Sequence, residues 1–287
     1  MMIKNILITG ANGQLGNEMQ KVLKSNSLFN TFYTDVEQLD ISKIDILNCF
    51  VKSNNIDCII NCAAYTAVDA AEDNEALCYL INSKAVENIA NVAKNNNCKV
   101  IHISTDYVFD GTNCNPYKEN DKTNPQSIYG KSKVEGEESL IREIPNDNII
   151  IRTAWLYSSH GKNFVKTMIE LSKNKNSLNV VSDQIGSPTY AGDLAKVIYE
   201  IIVTKNWHSG IYHFTNEGVC SWYDFAKAIH KFANISSCIV NPISTAEYPT
   251  KAKRPAYSVL DKSKIKNTYN IEIPYWMDSL EKCIAEL

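Results

Sequence analysis

Ile6-Leu-Ile-Thr-Gly-Ala-Asn-Gly-Gln-Leu-Gly16 is the stretch that decides the fold of this chain. An apolar run of β type meets three glycines, Gly10, Gly13 and Gly16, and a helical pattern opens at Gln14 and Leu15. A strand that turns tightly into a helix makes a seat for a dinucleotide pyrophosphate. Small residues let the backbone come close, and the helix N-terminus offers free N–H groups and a partial positive charge. The spacing is Gly-x-x-Gly-x-x-Gly, not the Gly-x-Gly-x-x-Gly of ordinary dinucleotide folds. Alone, such a turn could merely end a strand, so its meaning depends on the downstream pattern.

Beyond Gly16 the chain alternates between helix and strand. Residues 14–23 have helical spacing, with Leu15, Met19, Val22 and Leu23 on one side. Residues 29–34 read as a second strand ending at Asp35, residues 44–51 as a helix, and residues 58–61 as a third strand. A long helix is expected over 76–93, a fourth strand over 100–104, a helix over 127–141 and a fifth strand over 148–152. Strands alternating with helices of this length imply an α/β fold, a doubly wound parallel sheet of Rossmann-like type. The pattern changes near residue 155, where prolines and shorter helices begin; residues 193–203, 221–232 and 276–286 are helical candidates, the second capped by Ser221. Residues 1–155 are therefore expected to form the dinucleotide-binding core, with later returns of the chain to the sheet. Residues 156–287 are expected to form mainly a smaller, mixed substrate-binding lobe.

Composition narrows the function classes. The 287 residues are 44% hydrophobic, enough for a full core, and the net charge of −3 comes with no basic stripe, so no nucleic-acid surface is expected. No apolar run is long enough to span a membrane, and Gly10 interrupts the start too soon for a signal peptide. Nine cysteines are scattered without a Cys-x-x-Cys pair, which reads as buried thiols in a reducing compartment, the cytoplasm, and assigns no metal.

Three groups of residues carry chemistry. Asp35 lies 19 residues beyond Gly16, at the end of the second strand, where a carboxylate can accept from adenosine ribose hydroxyls and repel a 2′-phosphate. Tyr129 and Lys133 are four apart on a helix and face the same way. An ammonium beside a phenol stabilises the phenolate and lowers a pKa that is ordinarily near 10. The fourth strand ends in Ser104-Thr-Asp-Tyr-Val-Phe109, at the end of the sheet where open α/β folds place ligands. A hydroxyl there can donate to a substrate oxygen as it gains charge. Ser104 and Thr105 point to opposite faces, and the pattern does not choose between them. His102, Trp155 and Trp222 each have a bland reading as core residues, as do Asp69 and Glu72 as acids at a helix start; Trp155 alone of these is favoured for a site, since it follows the fifth strand.

The glycine turn, Asn61-Cys-Ala-Ala64, Ser104-Thr-Asp-Tyr-Val-Phe109 and Tyr129-x-x-x-Lys133 together resemble the extended short-chain dehydrogenase/reductase family. The agreement extends to Ala63-Ala-Tyr-Thr-Ala-Val-Asp69, Arg152-Thr-Ala-Trp155 and Asp183-Gln-x-Gly-x-Pro-Thr189, and covers nearly the whole chain. The resemblance implies that Thr105, Tyr129 and Lys133 are catalytic, Tyr129 as proton donor. It assigns the cofactor to Gly10, Gly13, Gln14, Leu15, Gly16, Asp35, Asp40, Ile41, Ala63, Ala64 and Tyr65, besides Tyr129 and Lys133. It assigns the substrate to Thr105, Asp106, Tyr107, Trp155 and Arg254. The implied cofactor is NADH, with NADPH as the second choice. The implied activity is reduction of the C4 ketone of dTDP-4-dehydro-L-rhamnose to dTDP-L-rhamnose, by a homodimer. The alternatives are another sugar-nucleotide reductase or epimerase, or a non-catalytic regulatory subunit. Some members hold magnesium between subunits. Glu18 matches one ligand, but Ala191-Gly192 stands where a second acid would be, so no metal is assigned.

Overall fold

The computed structural model describes residues 3–24, 28–204 and 206–287. Its first half alternates as the periodicity requires. β1 (Asn5–Thr9) leads through the glycine turn to α1 (Gln14–Lys24), β2 (Asn30–Thr34), α2 (Ile44–Ser53) and β3 (Cys58–Asn61). A short α3 (Val68–Ala71) precedes α4 (Glu75–Tyr79) and α5 (Ala85–Asn96), which a π turn at Leu80–Lys84 joins. β4 (Lys99–Thr105), α6 (Ile128–Glu143) and β5 (Asn148–Thr153) come next. α6 begins where Ser127 accepts from the Gly130 amide.

The second half is more broken. It holds β6 (Leu156–Tyr157), α7 (Phe164–Ser172), β7 (Ser177–Val181), β8 (Ile185–Gly186), β9 (Thr189–Tyr190), α8 (Ala191–Val203), β10 (Gly210–His213), β11 (Cys220–Ser221), α9 (Trp222–Phe232), β12 (Ile239–Ile243), α10 (Ser263–Tyr269) and α11 (Trp276–Ile284). Ser221 and Asp224 form a reciprocal capping box on α9.

Six parallel strands make one sheet in the order β10-β5-β4-β3-β1-β2. The strand order reverses between β1 and β3, and the chain leaves these two strands toward opposite edges. That leaves a crevice at their C-terminal ends. One face of the sheet buries Ile6, Ile8, Ile60, Ile101 and Ile149 against Leu15 and Met19 of α1 and Leu194 and Ile198 of α8. The other buries Leu7, Ile59, Val100 and Ile150 against α2, α5 and α6. A third cluster, built from α7, α9 and α11 around Phe225 and packed on the β7–β12 pair, lies at the carboxyl edge of the sheet. The space between that cluster and the strand ends is where the site lies.

Candidate active site

Gly10 ends β1 with φ +64 and touches β3: a Cβ here would stand 2.6 Å from the Ala63 amide nitrogen. Only glycine fits this contact. Gly16 packs α1 against the turn, since its Cβ would meet the Gly10 carbonyl at 2.3 Å. The first turn of α1 therefore opens directly onto the crevice between β1 and β3. Asp35 braces the same turn. Its carboxylate accepts from the amides of Asn12 at 3.0 Å and Val36 at 2.8 Å.

Two cavities line this edge, of about 440 and about 560 Å³, and they meet over Gly13, Cys62 and Ala64. Gly10, Gly13, Asp35, Asp40, Ile41, Ala63 and Ala64 line the first, with Leu39, Leu77, Leu80 and Ile81 as apolar walls. Asp40 is held below the usual carboxylate range, chiefly by the Ser42 hydroxyl. Gln14, Leu15, Thr105, Asp106, Tyr107, Tyr129, Lys133 and Trp155 line the second. Gly16, Tyr65 and Arg254 border neither cavity. The Tyr65 backbone is clamped by Asn82, and its ring packs beside Tyr129. Arg254 stands beside Tyr107, close enough to oppose the rise in its phenol pKa, and is paired with Asp69 at 2.6 Å.

β4 delivers Thr105 and α6 delivers Tyr129 to the wall of the same cavity. Thr105 donates to Asp106 at 2.9 Å and accepts from the Tyr107 amide at 3.2 Å. Ser104 leaves its hydroxyl buried and unpartnered beside them. Burial raises the Tyr129 phenol above its ordinary pKa, and Thr105 only partly opposes this. Desolvation, and not the lysine effect expected from the sequence, governs the phenol. The result is a neutral phenol that carries its proton at working pH. Burial also pushes Lys133 down to about 8, against the pull of Glu137 and Cys78. Its Nζ donates to the Ile103 carbonyl at 2.6 Å and lies 3.3 Å from His102 Nε2. Asp106 is pushed up to about 6 by burial, with Thr105 and Ser258 opposing.

Trp155 holds a left-handed φ of +50, uncommon for a bulky side chain and held here by its packing. Its ring stacks on Trp222 at 3.7 Å and covers Gly186, where a Cβ would clash at 2.7 Å. Trp222 packs on the third cluster as a core aromatic and also lines the second cavity. Asn163, also unanticipated, donates to the Gln14 amide oxygen at 2.9 Å and joins α7 to the glycine turn. Asp69 and Glu72 do more than sit at a helix start: Asp69 holds Arg254, and Glu72 accepts from the Ile128 amide at 2.9 Å at the head of α6.

The chain matches the RmlD substrate binding domain family over residues 4–287. It belongs to that family. It is 45% identical to the dTDP-4-dehydrorhamnose reductase of Aggregatibacter actinomycetemcomitans, over 98% of each chain. Among solved structures it is similar to a dTDP-4-dehydrorhamnose reductase from Clostridium acetobutylicum, 45% identical, covering 98% and 99% of the two chains with a TM-score of 0.93. It is also similar to the Bacillus anthracis enzyme in complex with NADP, 40% identical, covering 100% of each chain with a TM-score of 0.94.

The first cavity fits part of a dinucleotide in its chemistry, with a glycine cradle at a helix N-terminus, apolar walls and two carboxylates. Glu18 is buried near Glu286, and Lys21 bridges them at 3.3 and 2.9 Å. An ammonium already answers the two carboxylates. Among the described residues no group of three or more His, Cys, Asp or Glu stands close enough to hold a metal.

Proposed function

We propose that this chain reduces the C4 ketone of dTDP-4-dehydro-L-rhamnose to dTDP-L-rhamnose, with a reduced nicotinamide dinucleotide as donor. The single observation that carries this reading is convergence: Thr105, Tyr129 and Lys133 border one cavity that is continuous with the glycine cradle. The likeness to reductases of that name supports the choice of substrate.

Gly10, Gly13, Gln14 and Leu15 would hold the pyrophosphate, and Asp35, Asp40 and Ile41 the adenosine end. Ala63, Ala64, Tyr129 and Lys133 would hold the nicotinamide end. Bound there, the cofactor supplies hydride to the sugar carbonyl carbon. Tyr129, neutral through burial, donates its proton to the carbonyl oxygen as that oxygen gains charge. Thr105, whose hydroxyl donates to Asp106 in the ligand-free site, would turn that hydrogen to the same oxygen. Asp106, Tyr107 and Trp155 orient the sugar nucleotide. Arg254, partly buried behind Tyr107, acts on substrate through that ring. Asp35 favours NADH because its carboxylate would face a 2′-phosphate, while Lys43, near enough to Asp40 to lower its pKa, leaves NADPH usable.

The test is loss of reduced-nicotinamide absorbance with a panel of 4-keto sugar nucleotides. Turnover is expected with dTDP-4-dehydro-L-rhamnose, at higher kcat/KM for NADH than for NADPH, and Asp35→Asn should narrow that gap. Turnover with a different keto sugar and none with this one would replace the substrate.

A further inference from the structure

A buried polar chain crosses the sheet beneath the cofactor turn. Thr9 Oγ1 donates to Asn61 Oδ1 at 2.7 Å, Asn61 Nδ2 lies 3.0 Å from His102 Nδ1, and His102 Nε2 lies 3.3 Å from Lys133 Nζ. All four side chains are at most 1% exposed, so each polar atom must find its partner within the protein.

Hydrogen-bond accounting fixes the protons along this chain. The Ala63 amide donates to Asn61 Oδ1 at 3.2 Å. A backbone N–H can only donate, so the Asn61 oxygen faces Ala63 and Thr9, and the Asn61 amide nitrogen faces the imidazole. His102 Nδ1 must then accept. A neutral imidazole that accepts at Nδ1 carries its proton on Nε2. That N–H points at Lys133, and a lysine can accept it only with the lone pair of an uncharged amine. The amine keeps hydrogens to donate to the Ile103 carbonyl at 2.6 Å.

We infer that His102 is a positioning residue for Lys133: Asn61 locks its ring as the Nε2–H tautomer, which favours the uncharged form of Lys133 Nζ and so eases release of its proton. The inference rests on the proposed role of Lys133, which it deepens by saying what holds that nitrogen. Burial, which lowers both Lys133 and His102, acts in the same direction. The groups that face Lys133 are few. They are His102 on β4, Tyr129 one turn earlier on α6, Cys78 on α4, and Glu137 one turn later, whose charge is already answered by Arg152 of β5 at 2.6 Å. Asn61, uncharged, faces the ring from β3. His102 is thus the group best placed to set the lysine's proton.

The test is imidazole ¹⁵N NMR on the whole ligand-free protein, with the His102 signal identified by its loss in His102→Gln. The expected result is a neutral Nε2–H ring on both sides of neutral pH. An Nδ1–H ring or an imidazolium would overturn the inference. Asn61→Asp supplies the second arm. A carboxylate accepts from Nδ1–H, frees Nε2 to accept, and so lets Lys133 keep its proton to higher pH. The midpoint of the Lys133 side-chain titration, followed by NMR of its Nζ-adjacent methylene, should move upward, and the lysine-governed limb of the kcat–pH profile with it. A wild-type midpoint retained in folded Asn61→Asp would overturn the inference. Neither NMR readout involves substrate, so failure of the proposed activity would leave this result standing, and the reverse.

Discussion

The two cavities at the sheet edge are built in opposite ways. The adenosine-side cavity is made by short chain segments, 9–13, 35–42, 62–64 and 77–85, and its walls are mostly glycine and aliphatic carbon, with Asp35 and Asp40 the charged residues among its described lining. The reaction-side cavity gathers residues from 13 to 222, and its walls carry hydroxyls, two tryptophans, a carboxylate and two lysines. The first selects its occupant by close approach and shape. The second brings groups with shifted pKa values together where water is scarce. A substitution in the first should therefore act on cofactor affinity and folding, and one in the second on turnover.

Tyr129→Phe is the sharpest way to break that division. It should cut kcat by about 10²–10⁴-fold while leaving cofactor affinity, measured by fluorescence titration, within a few-fold of wild type. A parallel loss of affinity would mean that the two cavities do not act separately. Lys133→Met tests the same cavity through stability. Unfolded Lys133 keeps its proton up to about 10.5, while the folded site releases it near about 8, so the unfolded chain binds more protons between those values and stability rises with pH across that window. Below it, the buried charge costs about 3 kcal/mol. Lys133→Met should remove that cost. It should raise Tm at neutral pH, narrow the gain above pH of about 10, and abolish turnover. A Tm that falls at neutral pH would contradict the assignment.

Gly10→Ala carries the comparison to the other cavity. A side chain at φ +64, against the Ala63 backbone, should cost more than about 1 kcal/mol in denaturant unfolding and weaken cofactor binding, with kcat at saturating cofactor largely retained. Trp222→Ala should have the smallest effect. Losing its stack on Trp155, worth about 0.5–1.5 kcal/mol, should raise KM for the sugar nucleotide by about threefold to tenfold without changing affinity for the dinucleotide.

The same contrast explains how much could be read from the sequence. The adenosine-side cavity was legible because its chemistry is local: a strand, a turn that needs glycine, a helix N-terminus and an acid at the next strand end. Tyr129 and Lys133 were legible as a pair because the helix that periodicity places sets them four apart on one side; Thr105 could not be told from Ser104 by pattern, and only the family resemblance singled it out. Trp222 and Asn163 were not legible, since they enter through lobe helices whose docking no local pattern specifies. β10, Gly210–His213, escaped notice because its two apolar residues lie between a glycine and a histidine and make no apolar run. The π turn at Leu80–Lys84 adds a residue to a helix without disturbing its apolar stripe, yet it sets Asn82 against Tyr65, Cys78 and Ser132. His102 looked like a satisfied core histidine, and it is fully buried. What the sequence hid is the pair of partners, Asn61 and Lys133, that burial gives it.

A crystal structure with the reduced dinucleotide bound tests the continuity of the two cavities most directly. The account predicts the adenine between Ile41 and Leu80, the pyrophosphate on the first turn of α1, and the nicotinamide ring beside Tyr129 and Lys133. A nicotinamide ring found on the Asp35 side, or a cofactor confined to one cavity with Tyr129 out of reach, would contradict it.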